Sequence, residues 1–366
     1  MLKIKEIINF LETIAPLTYQ EAYDNSGLAC GDSLADCTGA LVALDLTPAV
    51  IEEAAQKGCN LIIVHHPPIF KGLKRIVAND PICEMLITCI KLDIAVYAIH
   101  TNLDNILSGV NGEIASRIGL EDTRVLVPLQ GTHRKLVYYV PIANAEKTRN
   151  ALFDAGAGMI GQYDQCSFNQ EGDGTFRALE GANPFVGSVG LQHVEKEIKV
   201  EMLYPTHLES SILQRLKDSH PYETVAYHIQ PLGNAFEEIG GGLIGSLKQP
   251  LSENEFLSLV KQVFRTGTIR HNPLTGRTIH RVALCGGSGK SMINNALREN
   301  ADVFLTADLG YHDFFLPNGK MLLADMGHFE SEQYTSDLIL RRIKEKFPTF
   351  ALLKTGISTN PVNYFL

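Results

Sequence analysis

A rhythm in the apolar residues constrains this chain more than any single motif. Three short and almost continuously apolar runs, at residues 40–46, 60–66 and 94–100, alternate with helical stretches. Pro48 opens the first of those helices and Gly58 stands just past its end, the usual punctuation of a helix. A strand that is apolar on both sides must be covered on both sides, so the pattern predicts a parallel sheet between helical layers. The same rhythm returns near the other end, with strands predicted over 281–285, 301–306 and 321–324 and a long helix over 331–347. An amphipathic helix over 3–14 opens the chain. Both flanks therefore read as βαβ units.

The texture changes between them. A strand over 133–140 and a helix over 143–155 are followed by strands over 162–171 and 175–180, with Gly172, Asp173 and Gly174 as a hairpin signal. A strand over 198–203, a helix over 208–219 and a strand over 225–229 follow, and with the two short hairpin strands counted together the order is β-α-β-β-α-β, which is ferredoxin-like. With 366 residues, the chain is longer than the roughly 250–300 at which one core stops growing. The expectation is an α/β protein. Residues 1–130 and 233–366 would form one discontinuous α/β domain of two βαβ-type halves, and residues 131–232 an inserted ferredoxin-like α+β domain.

Charge and cysteine usage exclude several function classes. A formal charge of −9 with no local basic patch gives no attraction to phosphate backbones or anionic lipid, which argues against nucleic acid as a partner. The apolar runs fall far short of the ~20 residues of a membrane span. Residues 1–10 read as an amphipathic segment rather than a signal peptide. Seven cysteines without a CxxC pair suit a reducing, cytoplasmic setting and structural thiols, so metal chemistry here is not thiolate chemistry.

Residues able to carry chemistry gather at predicted strand ends. One strand ends in His65-His66-Pro67-Pro68, and the prolines keep both imidazoles out of any following helix. Neighbours on a strand point to opposite faces, so this pair suits two metal ions better than one. The next strand ends in His100-Thr101-Asn102-Leu103-Asp104, and ligands of open α/β sheets collect outside such carboxyl ends. A third cluster, Gly327-His328-Phe329-Glu330-Ser331-Glu332, opens the last helix, where His328 and Glu332 share a face. Imidazole and carboxylate without thiolate suit zinc, iron or manganese. Asp45 reads equally as a support for these residues or as a neighbour of a helix cap. Gly286, Gly287, Ser288 and Gly289 join a predicted strand to a helix. Leu284 stands where a Walker A loop needs glycine, which leaves an anion site or a turn requirement as the two readings.

These residues together make the chain resemble the Ngg-interacting-factor-three-like family, dinuclear-metal proteins that carry the name GTP cyclohydrolase 1 type 2 homologue. The matching segments are Asp24-Asn25-Ser26-Gly27-Leu28, Ala43-Leu44-Asp45-Leu46-Thr47, His65-His66-Pro67, His100-Thr101-Asn102-Leu103-Asp104, Cys285-Gly286-Gly287-Ser288-Gly289 and Gly327-His328-Phe329-Glu330-Ser331-Glu332. The resemblance implies two divalent ions, zinc first and iron or manganese after it, on His65, His66, Asp104, His328 and Glu332. The middle segment, through His220-Pro221-Tyr222-Glu223 and Gly181-Ala182-Asn183-Pro184-Phe185, is similar to the PII/CutA-like insert of a variant of that family. Such members are toroidal hexamers, which implies a homohexamer here. Thr306-Ala307-Asp308 resembles a segment that usually has glycine at the position of Ala307. Asp308 and His312 are then candidates to orient ligand imidazoles.

The function this implies is a metal-dependent hydrolase. Metal-activated water would attack a small substrate, possibly a nucleotide as the family name suggests, and His100 or Glu330 would move the proton. Lys71, Lys74, Arg75 and Lys290 are the cations available to a triphosphate. The alternative is a non-catalytic metal-binding regulatory or scaffold protein with a ligand-sensing insert.

Overall fold

The computed structural model describes residues 2–365, which form two compact units. One comprises the segments up to Leu129 and from Glu237 onward, and the other is Gln130–Phe236.

The first unit is built on two sheets. The five-stranded sheet has the order Gly27–Cys30, Ala95–Ala98, Leu61–Val64, Ala40–Ala43, Leu352–Lys354. All neighbours are parallel except the edge strand Gly27–Cys30. Every residue of the three central strands is buried, as their continuous apolar sequence requires. On one face Leu41, Ile62 and Val96 meet Val50, Ile51 and Cys89 of the helices Pro48–Gln56 and Pro81–Lys91. Thr47 caps the first of these by accepting the Val50 N–H, and Asp80 caps the second by accepting those of Ile82 and Cys83. On the other face Val42, Ile63 and Tyr97 enter a large core shared with the helix Ile4–Ile14 and with the second sheet.

That second sheet has six strands in the order Arg270–His271, Leu322–Asp325, Val303–Ala307, Thr278–Ser288, Gly240–Ser252, Leu120–Pro128. Leu120–Pro128 pairs with Gly240–Ser252, while Leu352–Lys354 pairs with Ala40–Ala43, so each sequence half lends a strand to the other's sheet. The helix expected over 331–347 is two helices, His328–Glu332 and Thr335–Lys346. The strand expected over 281–285 runs over Thr278–Ser288 and takes in three residues of the glycine segment.

The second unit has four antiparallel strands in the order Phe168–Arg177, Gln192–Pro205, His133–Pro141, Tyr227–Pro231. Its helices, Ala145–Asp154 and Glu209–Ser219, pack Leu152, Ile212 and Leu216 on Leu136, Tyr138, Val200 and Met202. The hairpin expected at Gly172, Asp173 and Gly174 is absent: these residues continue the strand Phe168–Arg177, opposite Glu197, Lys196 and Glu195. The long partner strand Gln192–Pro205 supplies an unbroken ladder, which outweighs the local turn preference of glycine and aspartate. Among the described residues no helix is long and apolar enough to cross a membrane.

Candidate metal centre

His65 and His66 leave the end of Leu61–Val64, His100 leaves the end of Ala95–Ala98, and His328 opens the helix His328–Glu332 behind Leu322–Asp325. The two sheets thus bring the three sequence clusters to one place. His65 is wholly buried, and its neighbour His66 keeps a partly exposed side chain, as alternation along a strand requires. Their rings nevertheless lie 5.0 Å apart, 46° from coplanar.

All four imidazoles are pinned through the same nitrogen. Nδ1 of His65 donates to the Ile99 carbonyl at 2.8 Å, and that of His66 to Asp45 at 2.7 Å. Nδ1 of His100 donates to Asp24 at 2.8 Å and that of His328 to Asp308 at 2.7 Å. An acceptor-only partner on Nδ1 fixes the tautomer and leaves Nε2 as the ligand atom. Nε2 of His66 and of His328 approach Glu332 Oε2 to 2.9 and 3.1 Å, and each other to 3.3 Å. Nε2 of His65 lies 3.6 Å from Asp104 Oδ1 and 3.9 Å from Glu332 Oε1. Two overlapping sets, His65 with His66 and His100, and His66 with His328 and Glu332, place their ligand atoms within 4.8 Å and could hold a metal ion.

The buried electrostatics fit a cation. His65 Nε2 and Asp104 Oδ1 are buried with no hydrogen-bond partner, which costs about 1–3 kcal/mol for each group left so. Burial pulls the His65 pKa down to about 3, so this ring is a neutral ligand. Burial would also lower His66 and His328, but bonds to Asp45 and Glu332, and to Asp308 and Glu332, outweigh it and push them up to about 9 and about 11. Burial, then the charge of Glu332, raises Asp104 well above the carboxylate range, whereas hydrogen bonds from His328 and His66 hold Glu332 well below it despite burial. Without a cation, such a cluster has to be compensated by protons.

The backbone is shaped around these groups. Gly287 has φ +59°, and a Cβ there would stand 2.3 Å from Glu332 Oε1. Asp308, not Ala307, takes the left-handed conformation, at φ 58°, and its carboxylate holds His328. The amides of Gly286, Gly287 and Gly289 donate to Asn111, Ser331 and Thr306, which favours the turn reading of Gly286, Gly287, Ser288 and Gly289 over the anion site.

A cavity of about 600 Å³ opens beside the cluster, lined among others by His66, His100, His328 and Glu330. Glu330 lies outside the donor sets; it is buried, and its carboxylate accepts from Asn360 at 3.4 Å. His312 packs on the rings of Tyr311 and Phe315. Lys71, Lys74 and Arg75 do not line the cavity, and Lys290 is paired with Asp313 at 2.9 Å. Arg270 does line it, beside Asp325, and sequence reasoning missed it because it sits on a two-residue edge strand. Asp24 was missed as well. It accepts from His100, Ser26 Oγ and the Thr101 amide, and the segment Asp24-Asn25-Ser26 was the only signal for it. Thr359 Oγ1, donating to Asp45 at 2.6 Å, had no signal.

The family description Duf34/NIF3 (NGG1p interacting factor 3) matches residues 2–361. A Bacillus subtilis protein named GTP cyclohydrolase 1 type 2 homolog is 38% identical over 93% of this chain and 91% of its own length. One of the same name from Mycobacterium tuberculosis is 33% identical over 90% and 88%. The crystal structure of a Bacillus cereus protein related to NIF3 superposes with a TM-score of 0.86 at 34% identity, covering 100% of this chain and 99% of that one.

Proposed function

The chain belongs to the Duf34/NIF3 family, and from that premise we propose that it is a dinuclear metal-dependent hydrolase acting on a small substrate, a nucleotide being the first candidate. The observation that carries this is the common pinning of four histidines through Nδ1, which leaves Nε2 free as the ligand atom and, in His65, His66 and His328, sets it beside the buried carboxylates of Asp104 and Glu332. His65, His66, Asp104, His328 and Glu332 would hold two divalent ions, zinc before iron or manganese, and His100 has the geometry of a further ligand as well as of a proton carrier. Ions bound there supply an activated water at neutral pH. The chain's own residues do the rest. Asp24 fixes the His100 ring, so that its Nε2 can hold a proton beside the cavity, and Glu330 offers a second carboxylate on the cavity wall. Arg270 gives an anionic substrate a place to orient.

The second unit is read as a ferredoxin-like insert over residues 131–232, supported by its β-α-β-β-α-β order. Metal-loaded protein should be assayed for formate release from GTP and for hydrolysis of other nucleotides, phosphoesters and cyclic amides. Turnover that disappears in His100→Ala and Glu332→Ala supports the reading. Protein with its full metal complement and no turnover on any of these contradicts it and favours a regulatory or scaffold role.

A further inference from the structure

The second unit contains a cavity of about 590 Å³, within the range of ligand sites, and nothing in the metal chemistry uses it. It opens on the sheet face opposite the helices. Tyr138 and Val140 face the helices and Tyr139 between them lines the cavity. Phe176, Phe185 and Tyr222 form an aromatic wall, with Tyr222 6.1 and 6.3 Å from the two phenylalanine rings.

Glu197 also lines this cavity and is only 9% exposed. Its Oε1 accepts from the Tyr222 hydroxyl at 2.8 Å, and its Oε2 has no hydrogen-bond partner among the described residues. The strand alongside is glycine where it passes this oxygen, because a Cβ at Gly174 would stand 2.1 Å from it. Lys199, the cation lining the cavity, is engaged with Glu201 at 2.5 Å. Glu171 and Glu223 add further negative charge to the lining. A phosphate or carboxylate ligand would meet a buried carboxylate with no compensating cation. A positive ligand would find a charge-assisted acceptor and the faces of aromatic rings, the two features that recognise ammonium and guanidinium groups.

We propose that this cavity binds a small organic cation, an amine or guanidine with an apolar body, its charged head on Glu197 Oε2 and its body against Phe176, Phe185 and Tyr222. The site does not depend on whether the metal centre is catalytic.

The test uses the full-length, metal-loaded protein with phenethylamine and its neutral isostere 2-phenylethanol, measured by calorimetry and by saturation-transfer NMR. The amine is expected to bind roughly tenfold or more tighter than the alcohol. Glu197→Gln, which keeps the shape and removes the charge, is expected to erase that difference. Phe185→Ala, at an exposed rim position where folding is not at stake, is expected to weaken both probes. The proposal is overturned if phenethylamine shows no saturable binding up to about 10 mM, the weak end of specific association. It is equally overturned if Glu197→Gln binds the amine as the native protein does, or if inorganic phosphate displaces it.

Discussion

Replacing Asp45 with alanine is expected to weaken zinc binding by roughly ten- to a hundredfold, or about 1.4 to 2.7 kcal/mol. Asp45 touches no other ligand atom, and its effect runs through one bond, from His66 Nδ1 at 2.7 Å. That bond keeps the hydrogen on Nδ1, so that Nε2 presents its lone pair 2.9 Å from Glu332. Without it the ring can rotate, or carry its hydrogen on Nε2, and in both cases the donor is lost for part of the time. Asp45→Asn retains an acceptor and removes only the charge, so it belongs near the tenfold end. Thr359→Val removes the hydroxyl that steadies Asp45 Oδ2 and should cost less than either. The assay is competition between metal-free protein and a chromogenic chelator of known zinc affinity, with the melting of the metal-free protein as a check on folding. The Asp45 side chain is 33% exposed, so the fold itself should lose at most about 1 kcal/mol. Native zinc affinity in Asp45→Ala would refute the claim that Nδ1 pinning organises the centre.

Other consequences are accessible to simple measurements. Gly287→Ala combines a left-handed backbone with a Cβ 2.3 Å from Glu332 Oε1. It should destabilise the metal-free protein by about 2 to 5 kcal/mol in urea and lower metal retention, whereas a native midpoint and metal content would contradict the packing described. Because His66 and His328 are held up to about 9 and about 11, and Asp104 is raised as well, zinc loading at pH 7.5 in weak buffer should release at least about two protons per chain, seen with an indicator dye. No release would mean that these rings are not displaced by the ion. In the second unit burial, then His207, pulls His133 down to about 4, and burial lowers His207 and His220 as well. The unfolded chain protonates first. The stability these neutral rings contribute is therefore complete above about pH 6.5 and is lost as the pH falls through 6.5 toward 4, by about 1 to 2 kcal/mol at pH 5 for a half-buried ring such as His133. Urea midpoints at pH 7.5 and 5, followed by proteolysis within residues 130–236, measure this, and equal midpoints would refute it.

How much of this was legible depended on how local each signal was. The strand ends at His65-His66 and His100, and the helical pair His328 and Glu332, could be read because backbone periodicity aims residues two to four apart. The partners of those histidines could not be paired with them. Asp24 is 76 residues from His100, Asp45 is 21 from His66 and Asp308 is 20 from His328, and only the pairing of neighbouring strands within each sheet brings them together. The same limit hid the exchange of strands between the sequence halves, since Leu352–Lys354 is three residues long and carries no pattern of its own. Glycine misled the reading at Gly172 and Gly174, which suggested a turn, and left two readings open at residues 286–289; at Gly174 and Gly287 the missing Cβ makes room for a neighbouring carboxylate. Composition cannot distinguish a glycine that bends the chain from one that lets another group approach.

The most direct test of the metal centre is elemental analysis of protein purified without chelator, native beside Glu332→Ala. The account predicts about two divalent ions per native chain, the number a paired site requires, and a clear loss in the variant. A native chain that binds none, even after reconstitution with zinc, iron or manganese, would contradict it.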